Sequence, residues 1–400
     1  MQEYFLGRQP IFDADLDVKG YELLYRSQDM ESHVNGDQAT SQVLLNSFWE
    51  MGLEKIVGPH AAFVNLTRRF ILNESLIPPP SDQLVLEVLE DIEVDDELLA
   101  AVSRLKEKGY TIALDDFIYH PKLQPLVRMA DIIKIDILAL SHQEIDEHLF
   151  TLRKFPLKIL AEKVETPEEF DWCKSRGFDY YQGYFLCKPR IIKGRRMPTN
   201  RVNTLRLMAE LQEPDLDIKQ LEQLIAQDVT MSYRLLHYIN SAAFAAHDIE
   251  SIHHAIVYLG RQEICKWASL ALLAGIDDKP EALTMTALVR AHMCELLAET
   301  NPQLNPSTAM MVGLFSTLDA MLDAPLEEIL ADIPLTEGAR DALLLQEGPY
   351  ANILTCTLAY EAGTWEGIDF EDEDQTRLIS IYLRAIEWAE AMLGTMKGQQ

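Results

Sequence analysis

The sequence predicts two domains of different class: an N-terminal α/β domain built as a TIM-like (β/α) barrel, then an all-α domain. Three observations carry this. The chain has 400 residues, too many for one ordinary core. Its first half alternates short apolar runs with helix-like segments, which implies a parallel sheet. From Arg201 onward the period-2 pattern all but vanishes and helical spacing takes over.

Seven apolar runs read as strands: Tyr21–Arg26, Ala62–Thr67, Leu84–Glu90, Thr111–Phe117, Ile132–Leu138, Leu157–Glu165 and Asp179–Phe185. Helical segments lie between most of them. DDELLAAVSRLKEKGY, from Asp95, is typical: acids at its start, Lys and Gly at its end, apolar residues at helical spacing. Seven strands in roughly 190 residues suit a closed barrel better than an open sheet. An eighth strand is either the N-terminal GRQPIF (Gly7–Phe12) or hidden elsewhere. The basic stretch CKPRIIKGRRMPTN, with two prolines and a glycine, reads as a junction. It divides the chain into domains over 1–192 and 193–400. In the second domain, Gly260 interrupts HHAIVYLGRQEICKWASLALLA, which predicts two helices meeting at a turn.

The composition, 48% hydrophobic and 25% charged, is that of an ordinary globular chain. No apolar run approaches the roughly 20 residues that span a bilayer, and no basic-then-apolar leader is visible. The five cysteines lie far apart without a CxxC pair, so neither a disulfide framework nor a zinc site is expected. A reducing cytoplasm fits best. A net charge of −29 repels nucleic acid, so DNA is not an expected partner. An anionic substrate would need a metal or a focused Arg/Lys site.

Several predicted strands end in polar residues. Glu22 and Arg26 lie on the first run, Asn65 on the second, and Glu87 and Glu90 on the third. Asp115 and Asp116 end the fourth, and Lys134 and Asp136 lie on the fifth. Glu162 and Glu165 close the sixth, and Gln182 follows near the last. In a (β/α) barrel the C-terminal strand ends converge on one mouth, where active sites sit. Carboxylates gathered there raise one another's pKa and destabilise the fold. Divalent cations relieve this, and oxygen ligands with one amide suit Mg²⁺ or Mn²⁺. Paired metals about 3.5–4 Å apart suit phosphodiester hydrolysis. Lys134 would hold or polarise the attacking water, and Arg26 would hold a phosphate oxygen. Any one acid alone is more often a solvated loop residue or a helix cap. The set is harder to dismiss, because each acid falls on or at the end of an apolar strand.

In this order the residues resemble the EAL domain family, the cyclic di-GMP phosphodiesterases. The motifs are Glu22-Leu23-Leu24-Tyr25-Arg26, Asn65 in FVNLT, Glu87-Val88-Leu89-Glu90 and Asp115-Asp116. They continue with Lys134-Ile135-Asp136, Ala161-Glu162-Lys163-Val164-Glu165 and Gln182-Gly183-Tyr184. The resemblance implies a two-metal Mg²⁺ or Mn²⁺ site with Glu22, Asn65, Glu87, Asp115, Asp116 and Glu162 as ligands or near-ligands. It implies catalytic roles for Lys134, Glu162 and Gln182, and substrate contacts from Leu24, Arg26 and Gln182. Glu90, Asp136 and Glu165 would support them. The reaction would open cyclic di-GMP to linear pGpG, and family barrels often form homodimers. Three departures stand out. Leu23 replaces an alanine, Lys163 replaces a glycine, and Ile118–Lys122 replaces a flexible glycine-containing loop.

The helical half resembles the HDOD domain, a relative of HD phosphohydrolases, through Leu224–Phe244 and Ser251–Leu270. Asp228, Asn240, Ser241, Ala255, Leu259 and Gly260 carry the likeness. Ser316 and Thr317 stand where related hydrolases carry a His-Asp pair, and neither is a good metal ligand. His237, His253, His254 and His292 read as structural or surface residues. The resemblance implies a module that meets an unknown protein partner. The expected whole is a cyclic di-GMP signalling protein with a hydrolytic barrel. Its rivals are an inactive receptor for the same dinucleotide and a scaffold.

Overall fold

The computed structural model describes residues 4–27, 53–188, 199–213, 216–226, 235, 239, 251–274, 279–331, 333–364 and 375–397. The Arg26 side chain and Asp228, His237, Asn240 and Ser241 lie outside the described set. The chain divides into two compact units, Met1–Leu186 with Ala359–Ile379, and Cys187–Leu358 with Ser380–Gln400.

In the first unit eight strands close a barrel in chain order. They are β1 (Tyr4–Phe12), β2 (Val18–Ser27), β3 (Ala61–Leu66), β4 (Leu84–Val88), β5 (Thr111–Leu114), β6 (Ile132–Asp136), β7 (Lys158–Glu162) and β8 (Tyr180–Gln182). The eighth strand is therefore the GRQPIF segment. Strands β2 to β8 pair in parallel. β1 departs from the all-parallel expectation and runs antiparallel to both β2 and β8. The cause is the short link after Phe12, since a parallel crossover needs a dozen or more residues. Asp13 folds that link back. Its Oδ1 accepts from the backbone N–H of Asp15 and Asp17, at 2.9 and 3.0 Å.

Helices follow the strands: α1 (Leu53–Val57), α2 (Arg68–Leu72), α3 (Asp96–Glu107), α4 (Gln124–Val127), α5 (His142–Leu152) and α6 (Pro167–Ser175). α3 buries Leu98, Ala101, Val102 and Leu105, one face at helical spacing, and begins at Asp95, which accepts from the Leu98 N–H. α5 and α6 begin with capping boxes, Ser141 with Glu144 and Thr166 with Glu169. Each cap contributes about 1 kcal/mol and fixes where its strand hands over to its helix.

The barrel interior is layered. Ile11, Phe63, Val85, Ala113, Ile132 and Leu160 form one apolar cluster drawn from six strands. Side chains on a strand alternate faces, so residues two positions further along point into the same interior, one layer nearer the mouth. Those residues are Asn65, Glu87, Asp115, Lys134 and Glu162.

The second unit is helical: α7 (Thr199–Gln212), α8 (Ile218–Ala226), α9 (Ile252–Leu259), α10 (Arg261–Ala274), α11 (Glu281–Ala298) and α12 (Pro306–Phe315). The chain continues with α13 (Leu318–Leu322), α14 (Leu326–Ala331), α15 (Glu337–Leu344), α16 (Pro349–Ala362) and α17 (Gln375–Lys397). Gly260, with φ 86°, separates α9 from α10 as its sequence position predicts. α11 and α12 touch closely at Gly313, where a Cβ would lie 2.4 Å from the Arg290 carbonyl oxygen. Among the described residues no helix is long and apolar enough to cross a membrane.

Candidate active site at the barrel mouth

Lys134 is the centre of the site. It comes from β6 and is fully buried. Its ammonium lies 2.6 Å from Asp115 Oδ1, 2.9 Å from Glu87 Oε1, 2.9 Å from Glu162 Oε1 and 3.2 Å from Glu22 Oε2. Four carboxylates from β2, β4, β7 and the end of β5 thus surround one cation. Glu22 is held further by Asn65, whose Nδ2 donates to Oε1 at 3.1 Å, and by Gln182, whose Nε2 donates to Oε2 at 2.7 Å. Gln182 Nε2 also donates to Gln9 Oε1 at 2.9 Å. Gln9 is a member that sequence reasoning missed. Its signal was its place two residues before the buried Ile11 on the antiparallel strand.

Gly183 sets the position of Gln182. Its φ is 146°, and a Cβ there would lie 2.0 Å from the Val164 carbonyl oxygen. The chain can pass Val164 this closely only with glycine. The Val164 N–H donates to the Gln182 carbonyl at 3.0 Å and fastens the two segments.

The four acids share one ammonium, and their proton affinities show it. Burial alone would lower the Lys134 pKa, but Glu22, Glu87, Glu162 and Asp115 outweigh it and hold the group well above its ordinary value. Burial pushes Glu87 well up, against Lys134 and with the charges of Glu22 and Asp115. Burial likewise raises Asp115 and takes Glu162 up to about 8, with Lys134 opposing in both. Glu22 goes the other way. Burial would raise it, but Lys134 and the donors Gln182 and Asn65 hold it below its usual range.

One ammonium does not satisfy this set. Glu87 Oε2, Glu162 Oε2 and Gln182 Oε1 are buried with no hydrogen-bond partner. Acceptor oxygens without donors fit a hard divalent cation. Among the described residues no group of three or more His, Cys, Asp or Glu side chains is arranged to hold a metal ion; the acids face Lys134.

The other expected residues separate from this centre. Asp116 and Asp136 face a second cation, Lys163, whose Nζ lies 2.5 Å from Asp136 Oδ2 and 3.5 Å from Asp116 Oδ2. Asp136 Oδ1 accepts from the N–H groups of Leu138 and Ala139. Glu90 is exposed in the turn after β4, and Glu165 is exposed after β7, its N–H donating to Glu169. Leu24 is half-buried on β2, opposite Gly7 of β1. The segment Ile118–Lys122 is largely exposed, between an anchored Phe117 and a short capped turn. Phe117 N–H donates to the Lys134 carbonyl at 3.0 Å, and His120 Nδ1 accepts from Lys122 N–H to cap a short 3₁₀ turn at Pro121–Leu123.

In the helical unit the Ser316 hydroxyl donates to the Gly313 carbonyl, and that of Thr317 donates to the Leu314 carbonyl. Both serve the end of α12. His253 faces Glu222 at 3.1 Å on the surface, and His292 faces Glu295 at 3.0 Å.

Residues 54–189 match the EAL domain model and residues 197–322 the HDOD domain model. Over 381 residues the chain is 33% identical to the cyclic di-GMP phosphodiesterase CdgJ of Vibrio cholerae, covering 92% of this chain and 87% of that one. The chain belongs to the EAL–HDOD family. The EAL–HDOD chain is also 34% identical over 403 residues to the uncharacterized YuxH of Bacillus subtilis, covering 97% and 98% of the two. Among solved structures it is similar to PaMucR phosphodiesterase in complex with c-di-GMP, at 26% identity and a TM-score of 0.40, over 50% of this chain and 99% of that one. It is similar too to Klebsiella pneumoniae BlrP1 with manganese and cyclic di-GMP, at 22% identity and a TM-score of 0.38, over 46% and 55%. The EAL match begins at residue 54, after Glu22. The register of β2 on β3, with Glu22 opposite Phe63, places that residue in the same barrel as the matched segment.

Proposed function

We propose that the barrel hydrolyses cyclic di-GMP to linear pGpG with divalent cations, Mg²⁺ or Mn²⁺, held at its mouth. The observation that carries this is the buried ammonium of Lys134 with carboxylates from four strands within 3.2 Å. Glu22, Asn65, Glu87, Asp115 and Glu162 would hold the cation, with Asp116 at the margin. A divalent ion so held supplies Lewis-acid polarisation of the phosphate and offsets the charge of the acids.

The side chains then divide the work. Lys134 stays protonated, so it acts as an electrostatic partner of the incoming water and phosphate, not as a base. Glu162 carries an oxygen without a donor and is the acceptor for the proton that water releases. Gln182 orients Glu22 through its amide N–H and keeps its carbonyl oxygen for the water or substrate. Leu24 and Arg26 would contact the dinucleotide. The helical domain acts as a regulatory module that meets a protein partner. The setting is cytoplasmic.

A second reading, a cyclic di-GMP receptor without turnover, is favoured by the segment Ile118–Lys122. A proline and a capped turn replace glycine freedom there. One experiment separates the readings. Purified protein is incubated with cyclic di-GMP and Mg²⁺ or Mn²⁺, and pGpG is followed by chromatography beside a binding titration in Ca²⁺. Metal-dependent pGpG supports the hydrolase, binding without pGpG supports the receptor, and neither refutes both.

A further inference from the structure

The mouth holds two acid groups, each with its own lysine. Glu22, Glu87, Asp115 and Glu162 surround Lys134, while Asp116 and Asp136 face Lys163. The two lysines differ. Lys134 is fully buried with no room to leave, whereas the Lys163 side chain is 51% exposed. The backbone adds an independent sign. Asp116 and Lys163 both stand in the left-handed region, with φ 39° and 58°. Non-glycine residues are held there only when the surroundings insist, and such residues gather at functional sites. Here two of them lie on neighbouring loops of one mouth and form an ion pair. Glycine would relax the backbone at 163, but it would leave Asp116 and Asp136 without a cation. Asp116 also keeps Oδ1 buried with no hydrogen-bond partner, so the lysine satisfies this acid only in part.

We propose that Lys163 is a built-in, displaceable cation that stands in for a second divalent ion at Asp116 and Asp136, so that the mouth loads one divalent cation tightly. This rests on the metal-dependent reading above and specifies its stoichiometry. An exposed ion pair is weak, so Lys163 can be displaced, but a second ion must enter against its charge. A like charge a few ångström away lowers divalent affinity by about tenfold or more.

The test is Mn²⁺ binding to the EDTA-stripped full chain, read by electron paramagnetic resonance of free Mn²⁺ and by calorimetry, without substrate. Wild type is expected to bind one Mn²⁺ tightly and a second about tenfold or more weakly. Lys163→Met removes the charge and keeps the side-chain bulk; Lys163→Gly also relaxes the backbone. Both are expected to bring the second site to within a few-fold of the first. Two equal sites in wild type, or no change in either variant, would overturn the proposal while leaving the metal site intact. Absence of Mn²⁺ binding in all three proteins would remove the metal reading and this proposal together.

Discussion

Replacing Glu162 with glutamine tests the electrostatics of the site without reference to substrate. In the metal-free barrel the Glu162 carboxyl is raised from 4.5 to about 8 by burial and by the nearby acids. An acid whose folded pKa lies above its unfolded value binds its proton more tightly when folded. Stability is therefore full below pH 4.5 and falls as pH rises toward 8. From those two values the loss is about 1 kcal/mol at pH 5 and about 3 kcal/mol at pH 7. Glutamine resembles the protonated acid at every pH and escapes this loss, and its amide oxygen still accepts from Lys134. Glu162→Gln should thus stabilise the EDTA-treated barrel by about 3 kcal/mol at pH 7 and by about 1 kcal/mol at pH 5. The assay is scanning calorimetry of both proteins at pH 5, 7 and 9, following the barrel transition. Asp115 and Glu22 titrate together with Glu162, so the difference reads the charge of the cluster as a unit. Saturating Mn²⁺ should shrink or reverse the gap, because a ligand for the folded state favours wild type. A gap that is absent at pH 7, or that grows on acidification, would refute this account of the cluster.

Three further outcomes follow from the same geometry. Glu22→Ala should abolish pGpG formation while leaving the far-ultraviolet circular dichroism unchanged; full turnover in this variant would remove Glu22 from the site. Lys134→Met leaves four buried acids without their cation and should lower metal-free stability by about 3–5 kcal/mol in urea titrations, with Mn²⁺ recovering part of it. Gly183→Ala drives a Cβ to within 2.0 Å of the Val164 carbonyl; it should destabilise the barrel by roughly 2–4 kcal/mol and cut turnover by displacing Gln182.

Much of this was legible because a barrel strand alternates strictly. Phe63 and Asn65, Val85 and Glu87, Ala113 and Asp115, Ile132 and Lys134, and Leu160 and Glu162 each read as an apolar residue followed two places on by a polar one. That pattern fixed both the strand and the layer. The direction of β1 was not legible, since GRQPIF alternates in the same way whichever way it runs. Only the short link after Phe12 decides it. Nor was the division of the acids visible. Asp115 and Asp116 are adjacent in sequence, yet the left-handed turn at Asp116 sends it to Lys163 while Asp115 faces Lys134. Which lysine an acid meets depends on backbone angles that pattern reading does not reach. Lys163 was visible as a departure from glycine, but its partners were not.

The layered barrel has a consequence for how the chain reaches its native state. Glu22 and Lys134 are 112 residues apart, and Gln9 and Gln182 are 173 apart. No contiguous piece of the barrel contains the site, and contacts of such long range form late and slowly. β1 and β2 form a hairpin across a short link, so the long-range step is the pairing of β1 with β8, which brings Gln182 to Glu22. Barrel closure is thus the step that sets Gln182 against Glu22, and the dehydration of Glu22 is expected to weigh on it. The refolding rate of the barrel, more than its final stability, is where the charge of this site should first be felt.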